Sequence, residues 1–299
     1  MKVPMNDFRH RVFSFSRMTA IAGNTFTGLT RLKTFYVLLL FALLLIGSSV
    51  FMARMTFQQE FQVLKDIALG AMSIFTSLLA VIATARLLPQ DIEDRTAYTV
   101  LAKPVSRFEY LAGKLLGVLL LVALSLLAMS ALFFAVLLFR EQSVLNETSR
   151  QMAAAPAEQS AEALRLVRAS AFNVNLFSGI AVIYVKGCLL AALTLFVSTF
   201  ATSTIFTTIV MAFVYFIGHL QPIAREYWLQ TNSAGMFTKT FLALVVLLFP
   251  DLQSFNLTDD VVAGNAIPTA LLLKTIAMGV FYCGFYLALA WTVFFRKEL

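Results

Sequence analysis

Long apolar runs separated by short polar breaks dominate this chain. The longest, such as Val37 to Gly47 (VLLLFALLLIG), neither alternate nor show a one-sided stripe. That excludes the alternating segments of a transmembrane β-barrel. A hydrocarbon core of roughly 30 Å needs about 20 apolar residues in helical form. Six segments approach or exceed that length: 34–53, 67–88, 115–139, 179–199, 203–219 and 275–295. The pattern predicts an all-α polytopic membrane protein with six transmembrane helices, built as one transmembrane domain over 1–299. In the 1–33 segment Phe15, Met18, Ala22, Phe26 and Leu29 share one helical face, and Arg17, Asn24 and Arg31 the other. This predicts an interfacial helix on the inner membrane surface, the alternative being a helix packed on the rest of the protein.

The breaks differ in character. Arg54 to Asp66 is a short polar hairpin, and 140–178 is a polar external loop in which Pro156 is suited to begin a surface helix. Beyond His219 the pattern turns irregular through 220–274. There the apolar run Phe241 to Phe249, closed by Pro250, is too short to cross and is expected to re-enter the outer leaflet or pack on the bundle.

Composition agrees with a membrane class: 60% of the 299 residues are hydrophobic, 29 are Phe, and only 13% are charged. The net charge of +7 forms no single basic stripe, so nucleic acid is not an expected partner. Thirteen of the 23 Lys and Arg residues lie in the amino-terminal segment, the 86–114 loop and the carboxyl end, which the positive-inside rule places in the cytoplasm. The polar stretch before span 1 holds no short apolar core with a cleavage site, so span 1 is expected to stay in the protein. Cys188 and Cys283 fall inside predicted spans without CxxC spacing and read as small buried residues.

The loop from Leu88 to Lys114 (LPQDIEDRTAYTVLAKPVSRFEYLAGK) is the densest in charge, proline and helix signals. Pro89 suits the first turn of a helix, and Asp91, Glu93 and Asp94 place acids near its positive dipole end. A short helix is expected from Pro89 to about Leu101, ending before Pro104. Ser106 and Glu109 have the spacing of a capping box and Val105 and Tyr110 that of a hydrophobic staple, so a new helix should begin at Arg107 and run into span 3. The plain alternative is that these signals merely end one span and start the next.

These residues resemble a known family. The acidic cluster with Arg95 and Thr96, then LAKPVSR (Leu101 to Arg107), Glu109, and Gly113 with Lys114, is similar to the cytoplasmic loop of ABC-2-type transporter permeases. The amphipathic first helix, the PDLQSFN segment (Pro250 to Asn256) and the basic FFRKEL end fall in the order of the six-span branch that includes nitrous-oxide-reductase maturation permeases. Many members carry glycine where this chain has Arg95. The resemblance implies that the loop at 89–114 is a coupling helix seated in a groove of a separate ABC ATPase. Gln90, Asp91, Glu93, Asp94, Arg95 and Thr96 would face the ATPase, and Lys103, Pro104, Ser106, Arg107 and Glu109 would set its corner and cap. It further implies a second permease copy. No cofactor would be held by this chain, ATP and magnesium belonging to the ATPase; Gly113 and Lys114 are followed by Leu115 and make no phosphate loop.

Elsewhere chemistry is sparse. Lys186 is the one charged residue between Arg168 and Arg225, a possible intramembrane polar group expected to snorkel from the outer start of span 4. His219 lacks a carboxylate or Cys neighbour in sequence and reads as a capping or interfacial residue. Met52 and Met55 share a face but read as packing, and Asn146 and Asn256 begin N-x-T sequons. With no HExxH, GxSxG or intramembrane acid pair, the chain is not expected to be an enzyme. Two classes are left: an ABC permease, expected to export, and a non-transporting scaffold or mechanotransmitter engaging an external accessory protein. A secondary transporter fits less well, because intramembrane ionisable pairs are missing from the sequence pattern. The uniformly apolar spans hint at a lipid-like cargo.

Overall fold

The computed structural model describes residues 14–54, 59–96, 105–153, 156–201, 203–230, 250–265 and 267–296, with the side chains of 54 and 223–230 left aside. The described residues form helices and turns only. In chain order the helices are α1 (Phe15–Thr30), α2 (Lys33–Arg54), α3 (Glu60–Ala85), α4 (Leu87–Glu93), α5 (Arg107–Gln151), α6 (Ala157–Ala171), α7 (Asn175–Phe200), α8 (Thr204–Gln230), α9 (Thr258–Ala263) and α10 (Thr269–Arg296). Among the described residues, six helical segments are long and apolar enough to cross a membrane.

α7 is the central helix. It packs against α3, α5, α8 and α10 and is apolar on every side, as a helix enclosed by others must be. α8 and α10 lie against it and α2 packs outside α3 and α5, and the three leave Phe41, Phe51, Phe213, Phe216, Phe281 and Phe295 exposed on their outward flanks. For a chain that spans a bilayer such flanks face lipid or another subunit.

Several boundaries differ from the sequence expectation, each for an identifiable reason. α3 starts at Glu60, whose Oε2 accepts from Arg140 Nε of α5 at 3.0 Å, so residues 60–66 of the expected hairpin are helical. α5 runs 45 residues, through the polar stretch from Arg140 that was expected to leave the span. Pro156 occupies the cap position before α6. α3 and α4 are nearly continuous, broken only at Arg86. Pro89 has no N–H to give the Ala85 carbonyl and its ring crowds that group, so the break falls one turn before the proline.

α8 also continues past His219, through Pro222 to Gln230. A proline inside a helix leaves the carbonyl four residues earlier without its donor. Here that is Gly218, and its oxygen accepts instead from the Leu252 N–H at 3.1 Å. The PDLQSFN segment thereby completes a helix it does not belong to. Its Asp251 closes the local turn by accepting from the Gln253 and Ser254 N–H groups. Leu252 lies over Gly218, where an added Cβ would sit 2.7 Å from it, and Phe255 lies over Gly279. The run Phe241 to Phe249 and Met55 lie outside the described residues.

α1 packs along the first turns of α5. A Cβ at Gly113 would stand 2.9 Å from the Met18 carbonyl oxygen, and one at Gly117 2.8 Å from that of Ala22. Met18, Ala22, Thr25 and Leu29 are buried, while Phe15 is exposed. The face turned to the protein is therefore rotated from the most apolar one, because two glycines four residues apart admit a backbone and small side chains. This face of α1 packs on α5.

Candidate functional site

The corner where α4 meets α5 is held by three polar anchors, two at the start of α5 and one on α4. At its start, Ser106 accepts from the Glu109 N–H (3.1 Å) and Glu109 Oε2 accepts from the Ser106 N–H (2.9 Å), a complete capping box. The same carboxylate does more than cap its own helix. It is fully buried, and its Oε1 accepts from the Ser14 N–H at 2.6 Å and from Arg17 at 3.1 Å. Glu109 is thus the shared acceptor of the first turns of both α1 and α5. Val105 and Tyr110 are both buried in the adjoining core.

Arg107, placed at the loop corner by the sequence, turns the other way. Its guanidinium donates to the carbonyls of Phe294 (2.8 Å) and Phe295 (2.7 Å) and lies over both rings. These carbonyls lie in the last turn of α10, where a cation meets the negative end of the helix dipole. The start of span 3 is therefore tied to the end of span 6.

Asp91 is the third anchor. Its carboxylate accepts from Lys114 Nζ at 2.6 Å, from the Tyr110 hydroxyl, and from Thr96 Oγ1 at 3.2 Å. Lys114 also lies 5.6 Å from the Tyr110 ring centre. Of the residues the resemblance assigns to an ATPase-facing surface, Asp91 is thus half-buried and engaged within the chain, whereas Gln90, Glu93, Asp94, Arg95 and Thr96 are exposed. The Lys114 ammonium is bound to Asp91 and Gly113 is pressed against α1, so the Gly-Lys pair serves packing and pairing.

α4 ends earlier than Leu101. Asp94 N–H bonds to Gln90 O and Arg95 N–H to Ile92 O, which closes the helix at Glu93. Arg95 then takes φ of +55°, the left-handed conformation that glycine adopts freely and a residue with Cβ adopts at a cost of about 1 kcal/mol. Lys103, Pro104 and the rest of the expected helix to Leu101 lie outside the described residues.

Lys186 does not snorkel. It stands eleven residues inside α7, about 16 Å from that helix's start, and is 2% exposed. Its ammonium lies 3.0 Å from His219 Nε2, 3.4 Å from Ser73 Oγ and over the Tyr215 ring. His219, which the sequence left without a partner, is its neighbour across the bundle. The Gly113–Gly117 spacing was the one legible signal for the α1 contact; the Lys186–His219 pair had none, being 33 residues apart on different helices.

A bundle with six helices of membrane-spanning length and this composition, its capped polar corner braced to α1, α5 and α10, is a polytopic membrane protein. The chain belongs to the ABC-2 family of transporter proteins, whose family description matches residues 18–299. The family supplies the membrane component of a transporter and is not itself catalytic. Comparison with curated proteins finds no match.

Proposed function

We propose that this chain is the permease of an ABC exporter in the cytoplasmic membrane, related to the six-span branch resembling nitrous-oxide-reductase maturation permeases. A separate ABC ATPase subunit docks on the exposed end of α4 and supplies the ATP and magnesium chemistry. A second permease copy completes the transporter, and both termini with the 89–114 loop are cytoplasmic. The observation that carries this reading is the bracing of the corner. α4 and the turn after it present Gln90, Glu93, Asp94, Arg95 and Thr96 outward, while Asp91, Arg107 and Glu109 fix the same corner to α5, α10 and α1. A push on α4 would then be felt by several spans at once.

Charge reversal at Glu93 and Asp94 tests the docking. The double variant Glu93→Lys, Asp94→Lys is expected to lower recovery of the ATPase with the permease at least several-fold, and more at low salt, since exposed charges act through a screened field. Unchanged recovery would remove these residues from the interface. Sidedness has its own test. With Cys188 and Cys283 replaced, a cysteine at Thr96 should resist an impermeant thiol reagent in intact cells, while one at Ser149 should react. Labelling at position 96 from outside would overturn the topology and the docking reading with it.

A mechanotransmitting role is favoured by one feature, the continuation of α5 beyond bilayer length and its return as α6. In that reading the α5–α6 hairpin contacts an external accessory protein. Transport of substrate per ATP hydrolysed separates the two.

A further inference from the structure

The Lys186 cluster opens into a cavity of about 230 Å³ between α3, α7, α8 and the segment before α10. The electrostatics of that cavity are unbalanced in a particular way. His219 Nδ1 lies 2.9 Å from the Tyr215 carbonyl, which can only accept. Nδ1 therefore carries the ring proton, and Nε2 is the acceptor facing Lys186. Ser73, His219 and Tyr215 thus offer the Lys186 ammonium only neutral partners, and among the described residues no carboxylate lies within ion-pair distance of it. A charge held inside a bundle in this way calls for an anion.

A simple anion is not what the rest of the cavity suits. Asp66 and Asp259 line it as well, and both are exposed at its mouth. A simple cation would meet the ammonium. A ligand carrying both signs satisfies both ends, with Asn256 on the wall between as a neutral donor and acceptor. Ile74 lines the same cavity and is 53% exposed on the outward flank of α3, so the cavity is continuous with apolar surface that a hydrocarbon tail would follow. At Gly70, also on the lining, an added Cβ would meet nothing within 4 Å.

We propose that this cavity binds a zwitterionic headgroup of an amphiphile. Lys186 receives its phosphate or carboxylate, and Asp66 with Asp259 its ammonium. The inference deepens the transport reading by naming a ligand class, but the binding it asserts needs no ATPase, so its failure would leave that reading standing.

The test is calorimetric titration of the full chain in a neutral maltoside detergent. The probes are dihexanoylphosphatidylethanolamine, dihexanoylphosphatidylglycerol, which lacks the ammonium, and free phosphoethanolamine, which lacks the tails. The ethanolamine lipid is expected to bind at least tenfold tighter than the glycerol lipid. Gly70→Leu, whose Cβ enters open space and which removes no polar group, should weaken it tenfold or more with an unchanged unfolding midpoint. Lys186→Gln should do the same; where that variant fails to fold, Gly70→Leu carries the test. Asp66→Asn with Asp259→Asn should abolish the preference between the two lipids. Free phosphoethanolamine binding as tightly as the lipid would uphold the site and assign it to a soluble zwitterion, and tail-dependent binding would assign it to a membrane lipid. Equal affinity of the wild type for both lipids, no binding of any probe, or full binding by Gly70→Leu would overturn the proposal.

Discussion

Glu109→Ala is expected to detach α1 from the start of α5 and to lower stability by about 3 kcal/mol. Two backbone N–H groups, of Ser14 and Ser106, lose their acceptor at a site where the replaced side chain is fully buried, and each such loss costs about 1–3 kcal/mol. The Arg17 pair adds little, since Arg17 is 32% exposed and water takes over its solvation. An ordinary cap is worth about 1 kcal/mol, so the excess measures the second helix that Glu109 holds. Hydrogen exchange should rise across residues 14–30 and the unfolding midpoint in detergent should fall. Glu109→Gln, which keeps an acceptor oxygen, should recover part of both. If the corner transmits work from an ATPase, the alanine variant should bind the ATPase normally and move less substrate per ATP hydrolysed. Unaltered exchange in α1 would show that the glycine contacts hold it without the carboxylate.

Gly117→Leu is expected to separate the same helix by a steric route. The new Cβ would stand 2.7 Å from Thr25 Cβ and 2.8 Å from the Ala22 carbonyl oxygen. A backbone carbonyl cannot rotate aside as a side chain can, so α1 must back away, and overpacking of this kind costs about 1–3 kcal/mol. Trypsin cleavage at Arg17 and Arg31 should accelerate. Gly47→Leu, with nothing within 4 Å of its added Cβ, is the matched control and should leave cleavage unchanged. Equal cleavage in the two variants would mean that α1 is not seated on Gly117.

What the sequence revealed followed the range of the interactions. The spans were legible because an apolar run of bilayer length permits little else, and the capping box was legible because Ser106 and Glu109 lie three residues apart and need no other part of the chain. The second use of Glu109 was hidden, since Ser14 and Arg17 are more than ninety positions away and carry no mark of their partner. Arg107 was read as a corner residue for the same reason: the α10 carbonyls it caps are known only once the bundle is assembled. Lys186 and His219 were each weighed alone, and each alone gave the wrong surroundings. The end of α4 was misplaced because Arg95, a good helix former by type, occupies a left-handed position that local propensity assigns to glycine. The sequence placed the end of span 5 at His219, yet the helix continues through Pro222, where the Leu252 N–H serves the Gly218 carbonyl from outside it.

α5 is one unbroken helix of 45 residues, about 67 Å long at 1.5 Å per residue. A lever of that length has a gain. From Gly113, where α1 bears on it, to Gln151 is about 57 Å, so a tilt of about 5° at the pivot swings the far end by about 5 Å. Both proposed events, docking on α4 and contact at the α5–α6 hairpin, therefore sit at opposite ends of a single stiff arm. Small angular changes at the corner would be read at the hairpin as displacements as large as a side chain.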